Sequence, residues 1–236
     1  MIPLPIHYAE LETVYSQTVA SQVHTIALTS PEGNEGVTTL AYALANRAAA
    51  SGKLTLLVDL NMAAPSLHRW LGLEQREWKP NTTSAFEAIH EFSDRGLSIL
   101  PAPLDITNAL GFREPRVFNA QVKGWQERYQ VVILDTTPIT RHNRGNIPTE
   151  MICAACESTI LVVMAARTTE QKIRQAIDKL ASANAVLTGV VMNDKHNPDL
   201  AEQIKLFTER RGHLAPKMAK RIDRTVDTVE FFSMRT

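Results

Sequence analysis

Cysteine is nearly absent from this 236-residue chain: there are two, Cys153 and Cys156, spaced as CAAC. No second CxxC and no paired-histidine spacing supplies the further ligands that a zinc site needs. A thioredoxin-type pair sits where a strand opens into a helix, which lowers the thiol pKa. CAAC instead comes just before the apolar run STILVVM, so it reads as a helix end packed on a sheet, with a thiolate-bridged dimer as the residual alternative. Net charge is absent too. The 25 basic and 25 acidic residues leave no overall field to hold the protein on nucleic acid or an anionic bilayer, and nucleic-acid binding is not expected. No apolar run approaches the roughly 20 residues that span a bilayer, and the start MIPLPIHYAE lacks the basic-then-apolar order of a signal peptide. A cytoplasmic protein without a membrane span is the expectation.

What the chain does contain is a succession of short apolar runs rich in β-branched residues: TIALT (25–29), LTLLV (54–58), LSILP (97–101), VVILD (131–135), TILVVM (159–164) and LTGVVMN (187–193). Near-continuous runs of this kind fit parallel strands covered by helices on both faces. Helices are expected between them. Thr38 to Ser51 is rich in Ala and Leu and stops at Gly52, and Thr169 to Ala183 carries Ile173, Ile177 and Leu180 at helical spacing. Strand alternating with helix predicts an α/β, doubly wound, mostly parallel sheet, with the loops after the strand C-termini gathered along one edge. A single domain spanning residues 1–236 is expected, with an N-terminal helix over about 8–22 and a charged helical extension over about 197–236. Gln75 to Ser84 and Asp105 to Pro115 read as surface loops.

The most informative stretch is TIALTSPEGNEGVTTLAYALA, in which a strand enters a glycine-containing loop that opens directly into a helix. In such a P-loop, backbone N–H groups face phosphates, the helix N-terminus adds its dipole, a lysine neutralises the outer phosphates and a Ser or Thr hydroxyl holds Mg²⁺. Gly33, Gly36, Thr38 and Thr39 suit these roles. Val37 stands where GxxxxGK[ST] requires lysine, and Pro31 stands where it requires its first glycine. The loop alone is therefore ambiguous between a phosphate site and an ordinary strand-to-helix turn. Asp59 and Asp135 each end a buried strand, in LTLLVDLNMAAPSLHRWLGL and VVILDTTP. Strand-end carboxylates of this kind face the ligand edge of an open sheet, although either alone could be a local cap.

Together these segments resemble the cytoplasmic domain of the bacterial tyrosine kinases of capsule and exopolysaccharide synthesis (BY-kinases), a branch of the ParA/MinD P-loop ATPases. The resemblance covers about Leu11 to Asn193. The family's SPxPGEGKST looks like SPEGNEGVTT here, its DADLRRPSLHxLFGL like DLNMAAPSLHRWLGL, and its IIDTPP like ILDTTP; PSLHRWLGL is the most specific match. The resemblance implies ATP or ADP with Mg²⁺ as cofactors. Gly33, Asn34, Glu35, Gly36, Val37, Thr38 and Thr39 would form the phosphate loop, and Asn193 would contact adenine. Thr38, Asp59 and Asp135 would serve Mg²⁺, and the two aspartates would be the catalytic acids.

The departures fall on the catalytic parts. The loop lysine is Val37, the signature lysine of the ParA/MinD branch falls at Glu32, the second acid of DxD is Asn61, and the arginine pair is Ala63 and Ala64. The EAYRxLR-type helix of the ring contact resembles LETVYSQT, with Tyr15 and Thr18 at the arginine positions, and the chain ends EFFSMRT without a tyrosine cluster. A charge-assisted hydrogen bond contributes roughly 1.5–3 kcal/mol to binding, and a lost transition-state contact costs about 3–4 kcal/mol. The expectation is a catalytically degenerate relative with weak nucleotide binding and no tightly bound cofactor. It would serve as a partner or regulator of a polysaccharide synthesis or export membrane protein or of a kinase homologue, as a monomer or homodimer recruited to the inner membrane. Two alternatives stand beside it: a working ATPase or kinase in which Arg141, Arg144 or a partner's arginine replaces the lysine, and a ParA-like spatial regulator of the pilus or partition type.

Overall fold

The computed structural model describes residues 8–105, 109–141 and 147–194. Residues 1–193 make one compact unit; the extension expected over about 197–236 lies outside the described residues. Within the unit, seven strands form one sheet in the order β3-β4-β2-β5-β1-β6-β7. They are β1 (Thr25–Thr29), β2 (Thr55–Leu60), β3 (His90–Phe92), β4 (Leu97–Leu100), β5 (Val131–Thr136), β6 (Ser158–Met164) and β7 (Leu187–Asn193). All neighbouring pairs are parallel except β3 with β4. The six expected runs are the six parallel strands. Only β3, three residues of mixed polarity on the edge, carries no apolar run that would announce it.

The runs are continuous because both faces of each inner strand are covered, yet the period of two is still visible. Ala27, Val132, Leu134, Leu161 and Val163 point into one core, whereas Ile26, Leu28, Val131, Ile133, Ile160 and Val162 point into the other. The second core is closed by α1 (Ala9–Gln17), by α2 (Val37–Ala50), whose Ala41, Leu44, Ala45 and Ala48 are buried, and by Leu67 of α3 (Leu67–Leu71). The first is closed by α4 (Ser84–Glu87), α6 (Pro115–Gln126), α7 (Thr149–Ala154) and α8 (Glu170–Ser182), with Phe112 from the short α5 (Ala109–Phe112). The N-terminal helix is shorter than expected: it ends at Gln17, and Val19–Ser21 continues as one 3₁₀ turn.

Both segments expected as surface loops are anchored in the core instead. Trp78, within 75–84, is 1% exposed, and Phe112, within 105–115, is fully buried. Their rings meet edge to face at 4.9 Å, and the Trp78 indole N–H donates to the Pro101 carbonyl at 2.8 Å. Burying one such side chain contributes about 1.5–3 kcal/mol, which outweighs the turn signals that Pro80 and Gly111 carry. The CAAC pair meets its expectation as a helix end on the sheet. Cys153 lies in α7, Cys156 follows it, and both thiols are free and buried.

The connection from β1 through α2 crosses to the β2 side, whereas the connection from β5 through α7 crosses the opposite way to β6. Because β1 and β5 are neighbours and their crossovers leave on opposite faces of the sheet, this pair marks the switch point of the sheet, whose C-terminal edge is where an open α/β fold binds its ligand.

Candidate functional site: a phosphate loop without its lysine

The turn between β1 and α2 has positive φ at Gly33 (113°), Asn34 (63°) and Gly36 (96°). A side chain at Gly36 would have no room: its Cβ would come 2.5 Å from Nδ2 of Asn193. Glu35 holds this shape. Although charged, it is 3% exposed, because its carboxylate turns inward and accepts the Gly33 N–H at 2.7 Å, the Glu32 N–H at 3.2 Å and the Thr168 hydroxyl at 2.9 Å. From the other side, the Asn193 amide donates to the Glu35 carbonyl at 2.9 Å. Loop, β6 connection and β7 end are therefore tied together. Gly36 is the N-cap of α2 and, as glycine, supplies no side-chain cap, so the first-turn amides and the positive end of the dipole lie at the C-terminal edge of the sheet.

Val37 opens α2, is 8% exposed and belongs to the core that α2 shares with the sheet. It therefore removes a charge from the loop without filling the ligand edge. Glu32, at the signature-lysine position, instead pairs with Lys172 of α8 at 3.3 Å.

The two acids differ in their surroundings. Asp59 accepts backbone N–H bonds from Asn61 (3.0 Å), Ser66 (3.1 Å) and Leu67 (3.2 Å), so it shapes the turn into α3. Burial pushes its carboxyl up to about 6, against the pull of those three N–H groups. Asp135, on the neighbouring strand, makes no well-formed hydrogen bond through either oxygen among the described residues, although the Thr38 hydroxyl lies near enough to favour its ionised form. Burial first, and then the charge of Asp59, raise it well above the usual carboxylate range; the Thr38 hydroxyl pulls the other way. An orphaned buried carboxyl beside the first turn of α2 lacks a cation or a proton. Asn61, in place of the second acid, accepts the Ala64 N–H at 3.3 Å and the Thr137 hydroxyl at 3.4 Å, a fastening role for the amide.

The loop after β5 is clasped to the phosphate loop. Ile139 N–H donates to the Ser30 carbonyl (2.8 Å), the Thr140 hydroxyl to the Pro31 carbonyl (2.5 Å), and the Thr136 hydroxyl to the Leu28 carbonyl (2.9 Å). This clasp brings Pro138 and Arg141 against Gly33, whose missing Cβ would meet Pro138 Cγ at 3.1 Å and Arg141 Cζ at 3.4 Å. In the sequence Arg141 is only one of several candidate cations. Nothing in the sequence signalled the brace through Thr168, because the residue lies 133 positions from Glu35.

The structure thus brings Gly33 to Thr39, Asp59, Asp135 and Asn193 to one edge. It turns Glu35 inward, so this residue shapes the loop from within, and it uses Asn193 as a strut. The donor set suits a magnesium nucleotide. Among the described residues no three His, Cys, Asp or Glu side chains gather around one point, and Mg²⁺ ordinarily binds through one or two carboxylates together with substrate phosphates. Asp135 and the Thr38 hydroxyl are the donors such an ion would meet here, and the first-turn amides of α2 are the groups that could cradle phosphates.

No family model matches the chain. Among curated proteins it is similar to the tyrosine-protein kinase YwqD of Bacillus subtilis strain 168, at 24% identity over 188 residues, 75% of either chain. It is also similar to the putative tyrosine-protein kinase EpsB of Ralstonia solanacearum, at 26% over 173 residues, 71% of this chain but 22% of that protein. Among solved structures, the VpsO kinase domain superposes with a TM-score of 0.67 at 26% identity, over 77% of this chain and 90% of that one. MinD of Pyrococcus horikoshii OT3, complexed with Mg-ADP, shares the fold at a TM-score of 0.60 and 19% identity, over 74% of this chain and 72% of that one.

Proposed function

We propose that this chain, a relative of the bacterial tyrosine-protein kinases built on the P-loop fold they share with MinD, acts as a partner or regulator in exopolysaccharide or capsule synthesis and export, with a weak nucleotide site and little or no turnover. The observation that carries this reading is the fate of position 37. Its side chain is buried in the core instead of reaching over the loop, while the braced loop, the uncapped helix and the orphaned Asp135 remain.

Phosphoryl transfer rests on concentrated positive charge around the moving group. Here the loop lysine is valine and the signature position is an acid already engaged by Lys172. Binding needs less: backbone amides from Asn34 to Thr39 would cradle phosphates, and Thr38 with Asp135 would hold Mg²⁺. Asp59 would orient the second loop and hold the charge balance of the pair, and Asn193 would lie at the nucleotide's rim. In this reading residues 1–236 form a single P-loop domain with a C-terminal helical extension over about 197–236, which works in the cytoplasm and reaches the inner membrane through a partner. Among the described residues, no helix is long and apolar enough to cross a membrane.

Titration of the purified protein with Mg-ATP, followed by a phosphate-release assay and a phosphotyrosine blot, tests the reading. Weak binding with neither phosphate release nor phosphotyrosine is expected. Robust turnover that Asp135→Asn abolishes would overturn it in favour of a working enzyme with a substitute cation.

A further inference from the structure

We propose that Arg141 supplies the positive charge at the phosphate loop that position 37 no longer provides, by gripping the outer phosphate of a bound nucleoside triphosphate. The inference rests on the reading that this loop receives a nucleotide, and it adds the residue that decides how many phosphates the site prefers.

Gly33 is the contact point between the loop and Arg141. Its φ of 113° is one that side chains rarely adopt, and the direction its Cβ would take leads to the Arg141 guanidinium, 3.4 Å to Cζ and 3.5 Å to Nη2. Glycine there lets the guanidinium lie directly on the loop backbone. Arg141 is held in place from its main chain, through its N–H to the Pro138 carbonyl at 3.1 Å and through the clasp of Ile139 and Thr140 on Ser30 and Pro31. Its side chain, by contrast, is exposed and forms no ion pair among the described residues.

Two lysines of α8 near the loop are engaged. Lys172 pairs with Glu32, and the Lys179 ammonium donates to the Ile139 carbonyl at 3.1 Å. A guanidinium that has no ion-pair partner among the described residues and lies against a phosphate-type loop is the feature a terminal phosphate would select, because the planar fork offers two parallel N–H donors to its oxygens. The second, independent sign of a ligand at this edge is Asp135, fully buried with neither oxygen in a well-formed hydrogen bond among the described residues. That carboxyl accounts for a magnesium ion, and Arg141 accounts for the remaining phosphate charge.

The test is fluorescence titration of the full chain with mant-ATP, mant-ADP and mant-AMP in the presence of Mg²⁺. Arg141→Ala is expected to weaken mant-ATP binding by about 10- to 100-fold, the range of one charge-assisted contact, and to narrow the preference for mant-ATP over mant-AMP. Arg141→Lys should recover part of the loss, and Val37→Lys placed on Arg141→Ala should restore binding by returning the charge from the other side. The residue is exposed, so folding of each variant is expected and is checked by circular dichroism. Unchanged affinity in Arg141→Ala overturns the proposal while leaving the loop's role intact. If the unaltered protein fails to bind but Val37→Lys binds, Arg141 is not the substitute cation, although the loop is a phosphate site. If Val37→Lys also fails, the loop takes no nucleotide and both readings fall.

Discussion

Asp59 and Asp135 are register partners on the adjacent strands β2 and β5, and both carboxyls are fully buried. Two like charges in a dry interior cannot both ionise cheaply, so the folded protein holds protons that the unfolded chain releases at acidic pH. Asp59 is raised from 3.8 to about 6, and Asp135 is raised well above the usual carboxylate range by burial and by Asp59 itself.

The sign of the pH effect follows. Between about pH 4 and pH 6 for Asp59, and above the ordinary carboxylate range for Asp135, the folded state binds more protons than the unfolded one, so stability falls as pH rises through that window. Without Mg²⁺ and nucleotide, Asp135→Asn should raise Tm at pH 7.5 by roughly 2–8 °C, corresponding to about 1–2 kcal/mol. The gain should shrink at pH 5, and Mg-ATP should no longer stabilise the variant. A thermal melt series over pH 4.5 to 8 checks this; a lower Tm for the variant at every pH would show that the carboxyl is paired in solution.

Glu35 should matter to the loop although its carboxylate turns inward. Glu35→Ala strips the acceptor from the Glu32 and Gly33 N–H groups and the Thr168 hydroxyl. A loss of about 1–3 kcal/mol is expected, with Tm lower by roughly 2–10 °C and weaker mant-ATP binding. Glu35→Gln keeps one acceptor oxygen and should fall between. Equal Tm for all three proteins would show that the brace contributes nothing.

The residues at the ring-contact positions are occupied within the chain. The Tyr15 hydroxyl donates to Ser51 Oγ at 2.7 Å, Arg47 stacks on the Tyr15 ring at 4.1 Å and pairs with Glu12, and Thr18 is 1% exposed. A monomer or dimer is therefore expected by multi-angle light scattering, whereas a nucleotide-free octamer would show that α1 still joins subunits. Arg47→Ala should lower stability by about 1 kcal/mol, the sum expected of a half-exposed ion pair and a cation–π contact, and Leu11→Ala by about 2–5 kcal/mol.

Burial pushes the Cys153 thiol up to about 12 and Cys156 well above its ordinary value. The thiolate is the reactive form, so neither cysteine should react with Ellman's reagent in the folded protein at pH 8 within minutes, and both should react at once in guanidinium. Rapid labelling without denaturant would place the pair at the surface and reopen a redox role.

The six parallel strands, the helix after the glycine loop, the two strand-end aspartates and the loss of the lysine were all legible in the residues. Apolar runs, Ala-rich segments and glycine spacing report local burial and local backbone demands, which a sequence displays directly. Where the side chains went was decided by the tertiary structure. The strand order makes Asp59 and Asp135 neighbours across 76 positions of chain; the β5 loop is clasped to Ser30 and Pro31, bringing Arg141 to Gly33; Glu35 turns inward because Thr168 waits beyond β6. Trp78 and Phe112 buried two segments whose local residues favour turns. Each of these depends on which distant elements meet, and topology sets that through the packing of two cores about one sheet, so no window of sequence contains it.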